Sequence, residues 1–351
     1  MKNTILIINP GSTSTKLAIY RGSSPESKYT IPHTVEKIKQ YNRIWDQFDF
    51  RLDSIRNWVR STNITPHAIA AVGGLLKSVT GGTYRVNKQM LADARNNYQG
   101  EHPSNLGCEL AYELAKEYGC EAYIVDPVSV DEFEPLARYS GHPLIERRTL
   151  SHALNIHATA RRAADELKIP IDKSSFIIAH LGGGISIAPV RSGKIIDVND
   201  ASSDGPFSPN RTGGLPLQPF ISLCYSGKYT EHEIRTVVMG KGGLIAYLDT
   251  ASAEEIENRI AGGDNKANEI YEAMAYQIAK EIGAMATVLR GKVQAVVLTG
   301  GLAASKMLTG WITERVKFIA EVKIYPGENE MDALASAANM ILNGTETVKE
   351  Y

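Results

Sequence analysis

The stretch Thr4-Ile5-Leu6-Ile7-Ile8-Asn9-Pro10-Gly11-Ser12-Thr13-Ser14-Thr15-Lys16-Leu17-Ala18-Ile19-Tyr20 decides the fold class. Thr4 to Ile8 is a short β-branched run. Asn9 to Thr15 holds Pro, Gly and consecutive hydroxyl residues, the composition of a turn. Lys16 to Tyr20 resumes an apolar strand pattern. Strand, small polar turn and strand together read as a β-hairpin. A P-loop and a dinucleotide-binding fold both need a helix directly after the glycines, and no helical pattern follows Gly11. The hairpin tip can instead turn backbone N–H groups and hydroxyls toward a phosphate, with Lys16 supplying charge.

The second half of the chain opens the same way. Phe176 to Ala179 is a strand, His180-Leu181-Gly182-Gly183-Gly184 a turn, and Ile185 to Val190 a strand. Arg191-Ser192-Gly193-Lys194 then turns the chain into Ile195 to Val198, read as a further strand. Three glycines in one tip carry an entropic cost, and their use is to let a backbone approach an anion with no Cβ in the way. Gly182 lies about 170 residues after Gly11, so the pattern is a duplication of a large unit and not a short solenoid repeat.

Helices fill the remainder. Ile270, Met274, Ile278, Ile282, Met285 and Leu289 recur at spacings of three and four, and Gly291 ends the pattern. Ala295 to Leu298 is a fully apolar strand, followed by Thr299-Gly300-Gly301 and a helix near 303–320; 332–342 reads as a terminal helix. A strand that ends in Gly-Gly before a helix lets a flat ligand pack on the backbone. Hairpin, hairpin, then strand-Gly-Gly-helix is the order of the actin, sugar kinase and Hsp70 class. The expected fold is therefore α/β, with two duplicated actin-like ATPase domains of the ribonuclease H-like type and a nucleotide cleft between them. The expected division is 1–150 plus 331–351 for the first domain and 151–330 for the second, which carries the adenosine site.

Composition narrows the function. The chain has 351 residues, more than one hydrophobic core usually serves. Lys plus Arg number 38 and Asp plus Glu 39, so no basic excess exists to grip a nucleic-acid backbone. Cys108, Cys120 and Cys224 show neither a CxxC pair nor metal-ligand spacing, as expected of reduced thiols in a cytoplasm. No signal peptide and no membrane-spanning run is read.

Several segments resemble one family. Ile8-Asn9-Pro10-Gly11-Ser12-Thr13-Ser14-Thr15-Lys16 looks like the N-terminal signature of acetate and butyrate kinases, and His180-Leu181-Gly182-Gly183-Gly184 resembles their second signature, with Gly183 where acetate kinases usually have Asn. Glu101 to Gly107, Val125-Asp126-Pro127, Ala137 to Pro143 and Asp204-Gly205-Pro206-Phe207 resemble the butyrate kinases of that family in particular. The match runs over essentially the whole chain.

The resemblance implies ATP-dependent, reversible phosphorylation of a short-chain carboxylic acid, butyrate foremost, to its acyl phosphate. It implies Mg²⁺ with ATP or ADP, a small carboxylate partner and a homo-oligomer. Asp126, Arg211, His180 and Lys16 match its catalytic positions. Asn9, Gly11, Ser12, Ser14, Gly182, Gly183, Gly184, Gly300 and Gly301 match its nucleotide-binding positions. Asn9, Asp126 and Glu330 match its metal site, with Glu328 a lesser candidate, and Arg138 and Arg211 fall to the acid. A carboxylate with a pKa near 4–5 is already ionised at neutral pH and needs no base. Charge is the difficulty, so positioning and cationic stabilisation carry the reaction. Two alternatives come from other classes: a hydroxyl-directed kinase using Asp126 as base, and a non-catalytic nucleotide-dependent binding protein. There is one departure from the pattern. Relatives are expected to have an arginine before the Gly73-Gly74 pair, where this chain has Val72; Arg138 and, less well, Lys77 are the candidate replacements.

Overall fold

The computed structural model describes residues 2–351. Apolar alternation builds two separate sheets, each in its own compact unit. The first unit runs to Asp131 and takes back Asn329–Tyr351; the second is Glu132–Glu328. The division thus falls ahead of the expected position near residue 150.

In the first unit, β1 (Thr4–Pro10), β2 (Ser14–Arg21), β3 (Ser24–Pro32), β4 (Ala68–Val72), β5 (Thr83–Arg85) and β6 (Glu121–Val125) form a sheet in the order β3-β2-β1-β4-β6-β5. β1 and β2 are the expected hairpin, paired from Thr4↔Arg21 to Pro10↔Thr15. β4 and β6 then add parallel to β1. Both faces of the central strands are covered, so these strands are apolar throughout. Leu6, Ile8, Ile69, Ala71 and Ile124 pack with the helices Phe48–Thr62 and Leu106–Tyr118. The terminal helix Glu330–Leu342 packs against β1 and β4 and buries Leu334, Ala335, Ala337 and Ala338.

The second unit repeats the plan with β7 (Ser175–Leu181), β8 (Ile185–Arg191), β9 (Lys194–Ile195), β10 (Ala295–Gly300) and β11 (Val322–Pro326), ordered β11-β10-β7-β8-β9. Reversed, that order is an antiparallel three-strand meander with two parallel strands added on the other side of its first strand, as in the first unit. The helix Asn265–Val288 buries Met274, Ile278, Ile282 and Met285 as the spacing predicts, and adds Tyr271. β9 is shorter than the expected Ile195 to Val198. Asp197 Oδ1 accepts from the Val198 N–H at 2.7 Å and Arg147 donates to the Val198 carbonyl at 3.0 Å, so side chains take the backbone groups a ladder would need. Among the described residues, no helix is long and apolar enough to cross a membrane.

Candidate active site

Each unit carries a cluster of the singled-out residues at the carboxyl ends of its parallel strands, the edge at which α/β sheets hold ligands. In the first unit, the register Ile8↔Ala71 and Val72↔Val125 brings Asn9, the Val72-Gly73-Gly74 turn and Asp126 to one edge. The β1–β2 tip closes through Gly11 N–H to the Ser14 carbonyl at 2.8 Å, leaving Ser12 and Thr13 exposed. Beneath it lies a residue that the sequence reading missed. Arg51, wholly buried, donates to the Gly11 carbonyl at 3.0 Å, to Thr15 Oγ1 at 3.1 Å and twice to Gln47 Oε1. Burial lowers its guanidinium to about 10, still cationic at neutral pH. Arg51 falls on the same helical stripe as buried Ile55 and Val59, and a lone arginine on an apolar stripe was the available signal.

Asn9 Nδ2 donates to Glu330 Oε2 at 2.7 Å, joining two of the three metal candidates. Glu330 opens the terminal helix, after Asn329 in the left-handed region at φ 49°. Asp126, 2% exposed, sits at φ 39°, a sparsely populated conformation that marks functional strand ends in many proteins. Its Oδ1 accepts from the Gly82 N–H at 2.7 Å. Among the described residues, no group of three or more His, Cys, Asp or Glu is placed to hold a metal. Two carboxylates and an amide do fit the donor chemistry of Mg²⁺, which takes one or two protein carboxylates and completes its shell from phosphates and water.

Val72 stands beside this edge, half-buried. Lys77 is engaged elsewhere, 3.0 Å from Asp93 and over the Tyr98 ring. Arg138 belongs to the other unit, in the 3-10 turn Pro135–Arg138, with its guanidinium over Phe133. Glu134, which precedes that turn, pairs with Arg191.

In the second unit, β7 ends in His180 and Leu181, and Thr299 of β10 lies beside His180. Gly300 has φ +91°, and a Cβ there would lie 2.4 Å from the Leu181 carbonyl oxygen, so only glycine lets β10 close on the tip. Residues of the loop 199–214 pack on the Gly182–Gly184 tip and leave Gly183 exposed. Ser208 Oγ donates to the Gly183 carbonyl at 2.5 Å. Arg211 packs directly on Gly184, where a Cβ would come within 2.5 Å of Nη1. Nη1 donates to the Ala201 carbonyl at 2.8 Å, while Nε is buried with no partner. Burial lowers the Arg211 guanidinium, and the Asp200 carboxylate opposes that shift. Asn210 Oδ1 and Asp204 Oδ1 are also buried without partners, and burial pushes the Asp204 carboxyl up to about 6, with Asp200 adding to the shift.

His180 is 2% exposed, and burial lowers its imidazole to about 4. Nε2 is turned to Gly182, whose added Cβ would lie 3.1 Å away. Nδ1 meets Asn155 Oδ1 at 2.9 Å. The ring stacks on His152 with centroids 3.9 Å apart and planes 12° apart. His152, Asn155 and Ser186 were not read from the sequence. A His and an Asn three apart at the start of the helix Ala153–Leu167 share one face, and that spacing was the only hint. The structure thus gathers His180, Gly182, Gly183, Gly184, Arg211, Gly300 and Gly301 in one unit. It gathers Asn9, Gly11, Ser12, Ser14, Lys16, Asp126 and Glu330 in the other.

Comparison with known proteins names this arrangement. Residues 140–340 match the model of the acetokinase family. A probable butyrate kinase of Listeria innocua serovar 6a is 48% identical over 355 aligned positions that cover 100% of both chains. Probable butyrate kinase 2 of Caldanaerobacter subterraneus subsp. tengcongensis is 49% identical, covering 99% of each. The crystal structure of Porphyromonas gingivalis acetate kinase superposes with a TM-score of 0.77 at 16% identity, over 97% of this chain and 100% of that one, a likeness of fold. With its duplicated actin-like units and its two signature hairpins, the chain belongs to the acetokinase family.

Proposed function

We propose that the protein transfers the γ-phosphoryl group of ATP to a short-chain carboxylic acid, giving ADP and an acyl phosphate, and that it runs the reverse reaction toward ATP. Full-length identity of 48% to a probable butyrate kinase carries this reading and favours butyrate. The geometry supports it. A carboxylate nucleophile needs no base, and the second unit holds Arg211 against the glycine tip, with a buried Nε still to be satisfied.

Arg211 stabilises charge that spreads over the transferring group. The Gly182–Gly184 and Gly11–Ser14 tips offer backbone N–H groups to the phosphates, and Lys16 at the start of β2 adds charge at the second of these. Gly301, with open space beside it, leaves room for the adenosine, and Gly300 brings β10 close to the tip next to it. Arg138 holds the acid's carboxylate. Asn9, Asp126 and Glu330 would hold Mg²⁺, which would supply positive charge to the phosphates. The same reading makes the protein a cytoplasmic homo-oligomer. The three unpaired cysteines support the first part. The helix Leu217–Cys224 supports the second, since it buries none of its residues and leaves Leu217 and Ile221 exposed.

Steady-state kinetics with straight acids of two to five carbons test the substrate. We expect kcat/KM to peak at three to five carbons, with each missing methylene costing roughly 1 kcal/mol, several-fold in rate. A peak at acetate overturns the preference. Asp126→Asn tests the metal role: raised Mg²⁺ is expected to restore part of its turnover, and absence of any rescue removes Asp126 from the metal site.

A further inference from the structure

The stacked histidines of the second unit are each tied by a different neighbour, and the donor rules at those neighbours fix where the ring protons sit. Asn155, 1% exposed, uses both ends of its amide. Its Nδ2 donates to the Glu328 backbone carbonyl. A carbonyl oxygen accepts only, so the amide cannot be turned the other way without setting two oxygens against each other. Oδ1 is therefore the end that faces His180 Nδ1 at 2.9 Å. An amide oxygen also accepts only, so Nδ1 carries the hydrogen. In a neutral ring Nε2 then holds the lone pair, on the side of Gly182.

Ser186 does the opposite for His152. Its hydroxyl is wholly buried and receives the His152 backbone N–H at 3.4 Å. The hydroxyl hydrogen needs an acceptor of its own, and His152 Nδ1 lies 2.9 Å away. Were Nδ1 protonated, the buried hydroxyl hydrogen would be left with no acceptor. His152 thus carries its hydrogen on Nε2. Burial lowers His180 to about 4 and holds His152 well below the usual histidine range, with His180 and Arg211 adding to the shift at His152, so both are neutral at pH 7.

The geometry points to Asn155 and Ser186 as positioning residues that set opposite neutral tautomers in the His180–His152 stack, so that the pair offers one acceptor nitrogen and one donor nitrogen. This deepens the proposed phosphoryl transfer and rests on that reading for its catalytic consequence. Neutral His180 accepts at Nε2, from a backbone N–H of the tip or from a proton. It donates to a phosphoryl oxygen only after taking up a proton, and Asn155 Oδ1 is placed to stabilise the imidazolium by keeping its Nδ1–H. His152 can donate from Nε2 while neutral. The pair therefore meets an incoming anion without first placing two positive charges 3.9 Å apart.

Long-range proton–nitrogen correlation on uniformly ¹⁵N-labelled protein at pH 7.5 reads the tautomers directly, with signals assigned by His152→Gln and His180→Gln. We expect a protonated-type Nδ1 and a lone-pair-type Nε2 for His180, and the reverse for His152. The same tautomer in both rings, or averaged signals in either, overturns the assignment without any variant. In Asn155→Ala we expect His180 to lose its fixed Nδ1–H while His152 keeps its pattern. We expect kcat to fall roughly tenfold or more with KM for ATP within about threefold. Asn155→Asp keeps an acceptor at His180 Nδ1 but sets a carboxylate oxygen against the Glu328 carbonyl and adds a charge that favours the imidazolium, so it should retain the Nδ1–H of His180 and recover only part of kcat. A displaced tautomer with kcat within twofold of wild type overturns the positioning role. Correct tautomers in a wild type that phosphorylates no carboxylic acid overturn the functional reading and leave the tautomers standing.

Discussion

Arg211 has the arrangement of a transition-state donor: one nitrogen engaged, one buried and unpartnered, and a glycine in place of any side chain beneath it. Arg211→Ala is expected to lower kcat roughly 100-fold or more while changing KM for ATP little, because its charge is needed most when negative charge spreads over the transferring group. Near-normal kcat in a folded variant removes it from the reaction. Stability offers an independent reading of His180. Its folded pKa of about 4 lies below the ordinary value of 6.5, so between these values the unfolded chain binds the extra proton. Its contribution is full above pH 6.5 and is lost as pH falls toward 4. Urea midpoints measured at several pH values should show wild type losing stability relative to His180→Gln on acidification. Parallel curves contradict the buried neutral ring. Arg211 and His180 were singled out in the sequence because each stands in a segment that matches the family's pattern. His152, Asn155 and Ser186 were not, because their roles come from pairings of a helix start with two strands, and no local spacing encodes such pairings.

At the scale of elements, the hairpins behave as supports whose tips tolerate very different changes. A Cβ at Gly183 would meet only Asn210 Oδ1 at 3.9 Å, whereas one at Gly300 would strike the Leu181 carbonyl at 2.4 Å with φ already at +91°. Gly183→Ala should shift unfolding free energy by less than about 1 kcal/mol, and Gly300→Ala should cost roughly 3 kcal/mol or more. Equal effects in urea denaturation contradict the account of how β10 meets the tip. The sequence reading treated the three tip glycines alike. Gly183, the position where the family admits Asn, is the one with room. The first hairpin has a different support, the buried Arg51 holding Gly11, Thr15 and Gln47 together. Arg51→Met leaves those acceptors unmade and should cost roughly 2–4 kcal/mol. The same change should weaken ATP binding, since it removes a buried cation from beneath the tip. A variant of unchanged stability and unchanged ATP affinity sinks that role. β9 shows the limit of pattern reading. Ile195 to Val198 alternates well enough for a strand, yet Asp197 and Arg147 claim its backbone groups, and neither the fold nor that pairing is visible in four residues.

For the molecule as a whole, the duplication was legible because each unit opens its sheet with its strongest signal, a strand-turn-strand with small residues. The terminal helix packs with the first unit, to which the expected division gave 331–351. The divide between Asp131 and Glu132 was not legible, since no change of composition marks it. What joins the two clusters into one account is a reaction between two anions, in which donors and cations matter and a base does not. The direct test is hydroxylamine trapping with ATP and Mg²⁺, run in parallel on acids of two to five carbons and on hydroxyl compounds such as sugars. The account predicts ATP-dependent hydroxamate from the acids, strongest with butyrate or its nearest neighbours, and no ADP release with the hydroxyl compounds. Phosphorylation of a hydroxyl compound with no hydroxamate from any acid would contradict it.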